Sequence, residues 1–153
     1  YEDIDCIAVM ERIQPHLPGG MDVISVQYLA KDDVDSLMKI VQGMSYRIEF
    51  NDSALCEKFM AGCVEQRVLV KHTKKGPREI PLSEALINVQ AMGTSVSAIV
   101  SVGSDSSMRI DDMVMQLTGT EREDICNVMI CRENQYVVSE GKLRPLGKDY
   151  TGR

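Results

Sequence analysis

The segment from Pro15 to Phe50, PHLPGGMDVISVQYLAKDDVDSLMKIVQGMSYRIEF, constrains the fold most tightly, because it spells strand, amphipathic helix and strand with a punctuating residue at each joint. Val23, Ile24, Val26 and Tyr28 read as a strand entered through the Pro18-Gly19-Gly20 turn. Asp33 then caps a helix whose apolar residues Val34, Leu37, Met38 and Val41 recur at the i, i+3, i+4, i+7 spacing of one buried face, and Gly43 closes it. Tyr46, Ile48 and Phe50 alternate as a second strand with one face buried.

The pattern returns later in the chain. Ser97 to Val102 reads as a strand, Ile110, Met113, Val114 and Leu117 repeat the helical spacing, Gly119 is the stop, and Ile125 to Cys131 is the closing strand. Aligning VDSLMKIVQG with IDDMVMQLTG keeps the first aspartate, the apolar stripe and the final glycine. Duplication and convergence on a good helix explain this equally well. Between the copies lie a helix from Ser53 to Cys63, a hairpin with arms Arg67 to Lys71 and Arg78 to Pro81 around KKGP, and a mixed stretch from Leu82 to Met92. Near the start, Ile4, Cys6 and Ala8 alternate with acidic residues as an edge strand, followed by a short helix around Met10 to Gln14.

Strands and helices at these lengths predict an α+β fold, with an antiparallel or mixed sheet, helices on one face, and a ferredoxin-like arrangement of two related strand-helix-strand units. One domain is expected over residues 1–140, followed by an irregular tail over 141–153 whose sequence, GKLRPLGKDYTGR, has no periodicity. The chain begins at Tyr1, in a segment that already reads as a strand, and is expected to be a fragment of a longer protein.

Hydrophobic residues make up 44% of the 153 and charged residues 26%, a globular rather than a disordered balance. The net charge of −6 argues against non-specific duplex binding through a broad basic field. Cys6, Cys56, Cys63, Cys126 and Cys131 contain no CxxC pair, which excludes the usual zinc and iron-sulfur spacings and leaves free thiols in a reducing compartment, the cytoplasm. The sequence has no run of eighteen apolar residues and no charged-then-apolar leader, so neither a membrane span nor a signal peptide is expected.

The strongest binding signal is KHTKKGPR, which sets Lys71, Lys74, Lys75 and Arg78 on one hairpin, where a tip can follow a phosphate backbone. It lacks the interleaved aromatics that stack single-stranded bases, and lysines are also ordinary at hairpin tips. A second signal is Gly103-Ser104-Asp105-Ser106-Ser107, between a strand and a helix, where backbone amides at Gly103 and Ser104 can hold an anion. Against it, Asp111 and Asp112 already neutralise the helix start, and Ser106 or Ser107 suits a simple N-cap. His16 and His72 lie outside any nucleophile or metallohydrolase motif and read as surface residues. Glu2, Asp3 and Asp5 offer hard oxygen ligands but read as a solvated edge. Met60, Met92, Met108 and Met129 read as core filling before they read as a plastic binding surface. No catalytic residue, metal site or cofactor is assigned.

The blocks LPGGMDVISV, SLMKIVQGMSYRIEF, VSVGSDSSMRIDDMVMQL and CRENQYV, in this order, resemble the C-terminal part of the radical-SAM-associated domain of unknown function, a bacterial domain found alone or behind a cobalamin-type radical SAM protein. The resemblance departs at Ile110, where the family carries a proline after the basic residue. It implies an accessory role beside a radical SAM partner and, by the family's genomic company, RNA. The leading expectation is thus a binding domain that presents RNA or another phosphate-bearing substrate; the alternative is a protein-interaction or assembly domain with no nucleic-acid role.

Overall fold

A computed structural model describes residues 5–26, 40–103 and 107–146. The chain divides into two compact units, with residues 5–26 in one and residues 40–146 in the other.

In the first unit Cys6–Ile13 form helix α1, continued by a 3-10 turn at Gln14–His16. The expected edge strand through Cys6 and Ala8 is therefore corrected to helix. Its cause is Asp5, whose carboxylate accepts from the Ile7 N–H at 2.9 Å and caps the first turn. Ile4 lies outside the described residues. The expected strand from Val23 is corrected as well, since residues 21–26 carry no regular structure. The Val23 N–H is taken by the Gln14 side-chain carbonyl at 2.7 Å, and the same amide donates to the Met21 carbonyl at 3.0 Å. One glutamine thus satisfies the backbone that a neighbouring strand would otherwise have to serve. Tyr28 lies outside the described residues.

The second unit is built on a five-stranded antiparallel sheet in the order β4-β5-β1-β6-β7, from β1 (Val41–Phe50), β4 (Leu86–Met92), β5 (Ser95–Ser101), β6 (Val128–Ser139) and β7 (Lys142–Pro145). Helix α2 (Ser53–Val64) follows β1, a separate hairpin of β2 (Val68–Thr73) and β3 (Gly76–Pro81) follows α2, and the single turn α3 (Leu82–Ala85) leads into β4. Helix α4 (Ile110–Thr118) joins β5 to β6. One core holds the unit together. Ile48 and Phe50 of β1, Val96 and Ala98 of β5, Phe59 of α2, Met113 of α4 and Leu69 and Ile80 of the hairpin all bury into it. The Phe50 and Phe59 rings meet at 5.6 Å in a tilted pair. Gly62 lets α2 close on α4, because a Cβ there would stand 3.0 Å from Leu117 Cδ2.

The α+β class and the antiparallel sheet agree with the sequence pattern; several joints do not. The helix expected from Asp33 lies outside the described residues except at its end, where Val41 and Gly43 already belong to β1. Val41 pairs with Val137 across the ladder, and Gly43 lies inside β1, paired with Ser101 of β5 and Tyr136 of β6, not at a helix stop. Gly119 does stop its helix, at φ 71° with its N–H bonded to the Met115 carbonyl at 2.8 Å. The proposed repeat therefore fails at its glycine. In the sheet β5 lies between β4 and β1, and β1 between β5 and β6. The segment Ile125–Asn127 is a 3-10 turn ahead of β6. Of the expected tail, Lys142–Pro145 form β7, because Glu140 (φ 53°) and Gly141 (φ 72°) supply the paired left-handed residues of a tight hairpin, and residues 147–153 lie outside the described residues. Met108 is buried and Met60 half-buried in the core, but Met92 is 85% and Met129 51% exposed, which corrects core filling for that pair.

Candidate anion-binding hairpin

The alternation of β2 and β3 divides the hairpin into a root and a tip. Leu69 and Ile80 stand opposite each other and are buried, whereas in the next pair on that face Lys71 is half-buried and Arg78 exposed. Lys71 does not project. Its ammonium donates to the Ser107 carbonyl at 2.5 Å and to the Ser107 hydroxyl at 3.2 Å. The two stretches singled out for anion binding, the basic hairpin and the loop after Gly103, are thus tied together, with Lys71 as the tie.

A second brace lies on β2's outer edge. The Val70 N–H donates to Gln116 Oε1 at 2.8 Å, and Gln116 Nε2 donates back to the Val70 carbonyl at 2.8 Å. The side-chain amide occupies the place of a neighbouring strand and satisfies both backbone groups. Arg67 adds a long contact to the Leu117 carbonyl at 3.5 Å, and its own carbonyl accepts the Leu82 N–H at 3.1 Å. Gln116 was not visible as a functional residue in the sequence, because it sits between positions of a buried helical stripe and nothing in its spacing marks it as a clamp.

The tip is made of Thr73, Lys74, Lys75 and Gly76. The Thr73 hydroxyl accepts from the Lys75 N–H at 3.2 Å and donates to the Gly76 carbonyl at 2.8 Å, which fixes the turn. Lys74 and Lys75 are exposed, and among the described residues their side chains make no hydrogen bond. Arg78 is exposed opposite Lys71. Lys74 and Lys75 are thus presented to solvent at the tip, while Arg78 has interactions of its own.

Of the loop before α4 only its ends, Gly103 and Ser107, are described, and residues 104–106, Ser104 among them, lie outside the described residues. Gly103 accepts the Ser107 N–H at 3.3 Å. Ser107 is corrected from a helix cap to the anchor of Lys71, since Arg109 holds the cap position without a side-chain capping bond. The positive end of α4 is met by Asp111 and Asp112 in the first turn. Partial burial pushes the Asp111 carboxyl up, but the hydrogen bond and charge of Arg109, with Nε at 3.0 Å, outweigh it and hold its pKa below the ordinary value.

The remaining candidates are dispersed. His16 and His72 are exposed on the 3-10 turn and on β2. Asp5 is a helix cap, and Glu2 and Asp3 lie outside the described residues. Among the described residues no group of three or more His, Cys, Asp or Glu side chains gathers as a metal site. The five cysteines are free, and burial pushes the Cys63 thiol up to about 11. No helix among the described residues is long and apolar enough to cross a membrane.

An antiparallel sheet domain carrying a braced, cation-tipped hairpin is the class these features define. The chain belongs to the family described as an uncharacterized protein conserved in bacteria (DUF2344), whose profile matches residues 1–122. The match ends before β6, so the CRENQYV block lies outside it. No curated protein and no solved structure matches the chain.

Proposed function

We propose that this chain is an accessory binding domain of the cytoplasm that presents RNA, or another phosphate-bearing molecule, to a radical SAM protein through the tip of the β2–β3 hairpin. The observation that carries the reading is the division of labour among the lysines. Lys71 is spent on Ser107, which stiffens the stem, and Lys74 and Lys75 are left exposed at its end. A stiff stem lowers the ordering cost of each phosphate contact. The tip offers charge without an aromatic platform, which suits backbone contacts to structured RNA over base stacking. The radical SAM partner rests on the sequence resemblance. The strand order β6-β1-β5-β4 supports a ferredoxin-like reading, with the β2–β3 hairpin as an insertion and β7 as an added edge.

Binding to a bulk tRNA pool across a salt series tests the proposal, comparing the chain with Lys74→Glu/Lys75→Glu. Two lysine contacts contribute a slope of about −1.4 to −1.8 in log affinity against log salt. The double variant is expected to lose that slope and at least about tenfold in affinity. Absence of salt-dependent binding by the unaltered chain sinks the reading.

A further inference from the structure

The excess of positive charge in the second unit is confined to one short stretch. Residues 71–78 hold four cations and no carboxylate, whereas the remaining described residues of that unit carry eight basic and thirteen acidic side chains. Arginines on the flanking elements are already matched, Arg67 by Glu65 at 2.7 Å, Arg109 by Asp111 at 2.5 Å and Arg122 by Asp112 at 3.4 Å, so they do not extend a basic track from the hairpin. Glu79, the residue after Arg78, is an exposed acid. Within the hairpin Lys71 is committed to Ser107, and Arg78 has interactions of its own. The uncommitted charge of the hairpin therefore narrows to Lys74 and Lys75.

Those two are consecutive in the turn that the Thr73–Gly76 pair closes, with Cα atoms about 3.8 Å apart, so both side chains can converge on one group. A run of phosphodiesters offers them one negative charge per phosphate, and its neighbouring phosphates would lie over a surface with an excess of carboxylates that repels them. A terminal phosphomonoester instead gathers a charge of about −1.5 to −2 in one group at neutral pH and has a chain on one side only. Lysine ammoniums are compact point charges that suit such a group without the planar fork of arginine.

We propose that the β2–β3 tip takes a dianionic terminal phosphomonoester, as at the 5′ end of an RNA, and not the interior of a nucleic-acid strand. The inference rests on the phosphate-binding reading above and narrows it to an end group held between Lys74 and Lys75.

Fluorescence anisotropy with one short RNA carrying either a 5′-phosphate or a 5′-hydroxyl tests it, at about pH 8, where the monoester is fully ionised. The phosphorylated RNA is expected to bind the intact chain about fivefold more tightly or better, as two exposed ion pairs allow. Lys74→Gln/Lys75→Gln, with its circular dichroism unchanged, is expected to bind the two RNAs alike. A nucleoside 5′-monophosphate added as competitor separates the sources of the group: displacement assigns the tip to small phosphomonoesters as well, and its failure assigns the tip to RNA ends, both within the proposal. Equal, salt-dependent binding of the two RNAs overturns the end-group inference and leaves the broader phosphate reading standing. A preference for the 5′-phosphate that survives in the variant also overturns it, by placing the end group elsewhere, and absence of salt-dependent binding by either RNA sinks both readings.

Discussion

At the root of the β2–β3 hairpin Leu69 and Ile80 are buried and Val70 is bonded twice by Gln116, whereas Lys74 and Lys75, a few residues on, stand exposed at the turn. Lys71 sits between these regimes and belongs to the root, since its ammonium is committed to Ser107. A basic run in a sequence is therefore not one functional unit. Alternation along the strand and distance from the core decide which of its cations hold the fold and which stand in solvent.

That contrast is open to direct attack. Leu69→Ala should have the largest effect, a loss of about 3 kcal/mol in urea denaturation, because it empties a buried site at the root. Gln116→Leu comes next at about 2 kcal/mol, since it strips both partners from the Val70 backbone, and hydrogen exchange at Val70 should quicken. Lys74→Glu/Lys75→Glu should change stability by no more than about 0.5 kcal/mol, as expected for exposed sites. A large destabilisation in that double variant would show that root and tip are not separable.

What the sequence made legible follows from local signals that agreed with tertiary demand. The α4 stripe of Ile110, Met113, Val114 and Leu117 with Gly119 after it is one such place, and the hairpin around Lys74 and Lys75 is another. Where readings failed, a residue had two physical uses. Gly43 looked like a helix stop because glycine ends helices, yet here it sits mid-strand in β1, paired on both sides. Asp5 looked like edge-strand charge and is a cap. Glu140-Gly141 looked like the start of a tail and is a hairpin turn, legible only once β6 gives it a strand to return along. In the candidate site the lysines were legible one by one, but the pairing of Lys71 with Ser107 and the reach of Gln116 to Val70 were not, since contacts 36 and 46 residues apart leave no periodic trace.

The position of β1 has a consequence in time. It lies between β5 and β6, and Arg47 stands opposite Ser97 on one side and Cys131 on the other. During synthesis the first side can close once β5 emerges, but the second waits for residues near the end of the sheet. At roughly 5–20 residues per second, the central strand spends on the order of seconds with one ladder unmade. Non-local pairing of this kind makes folding slow and leaves the nascent β1 edge open to strand-seeking neighbours for that interval.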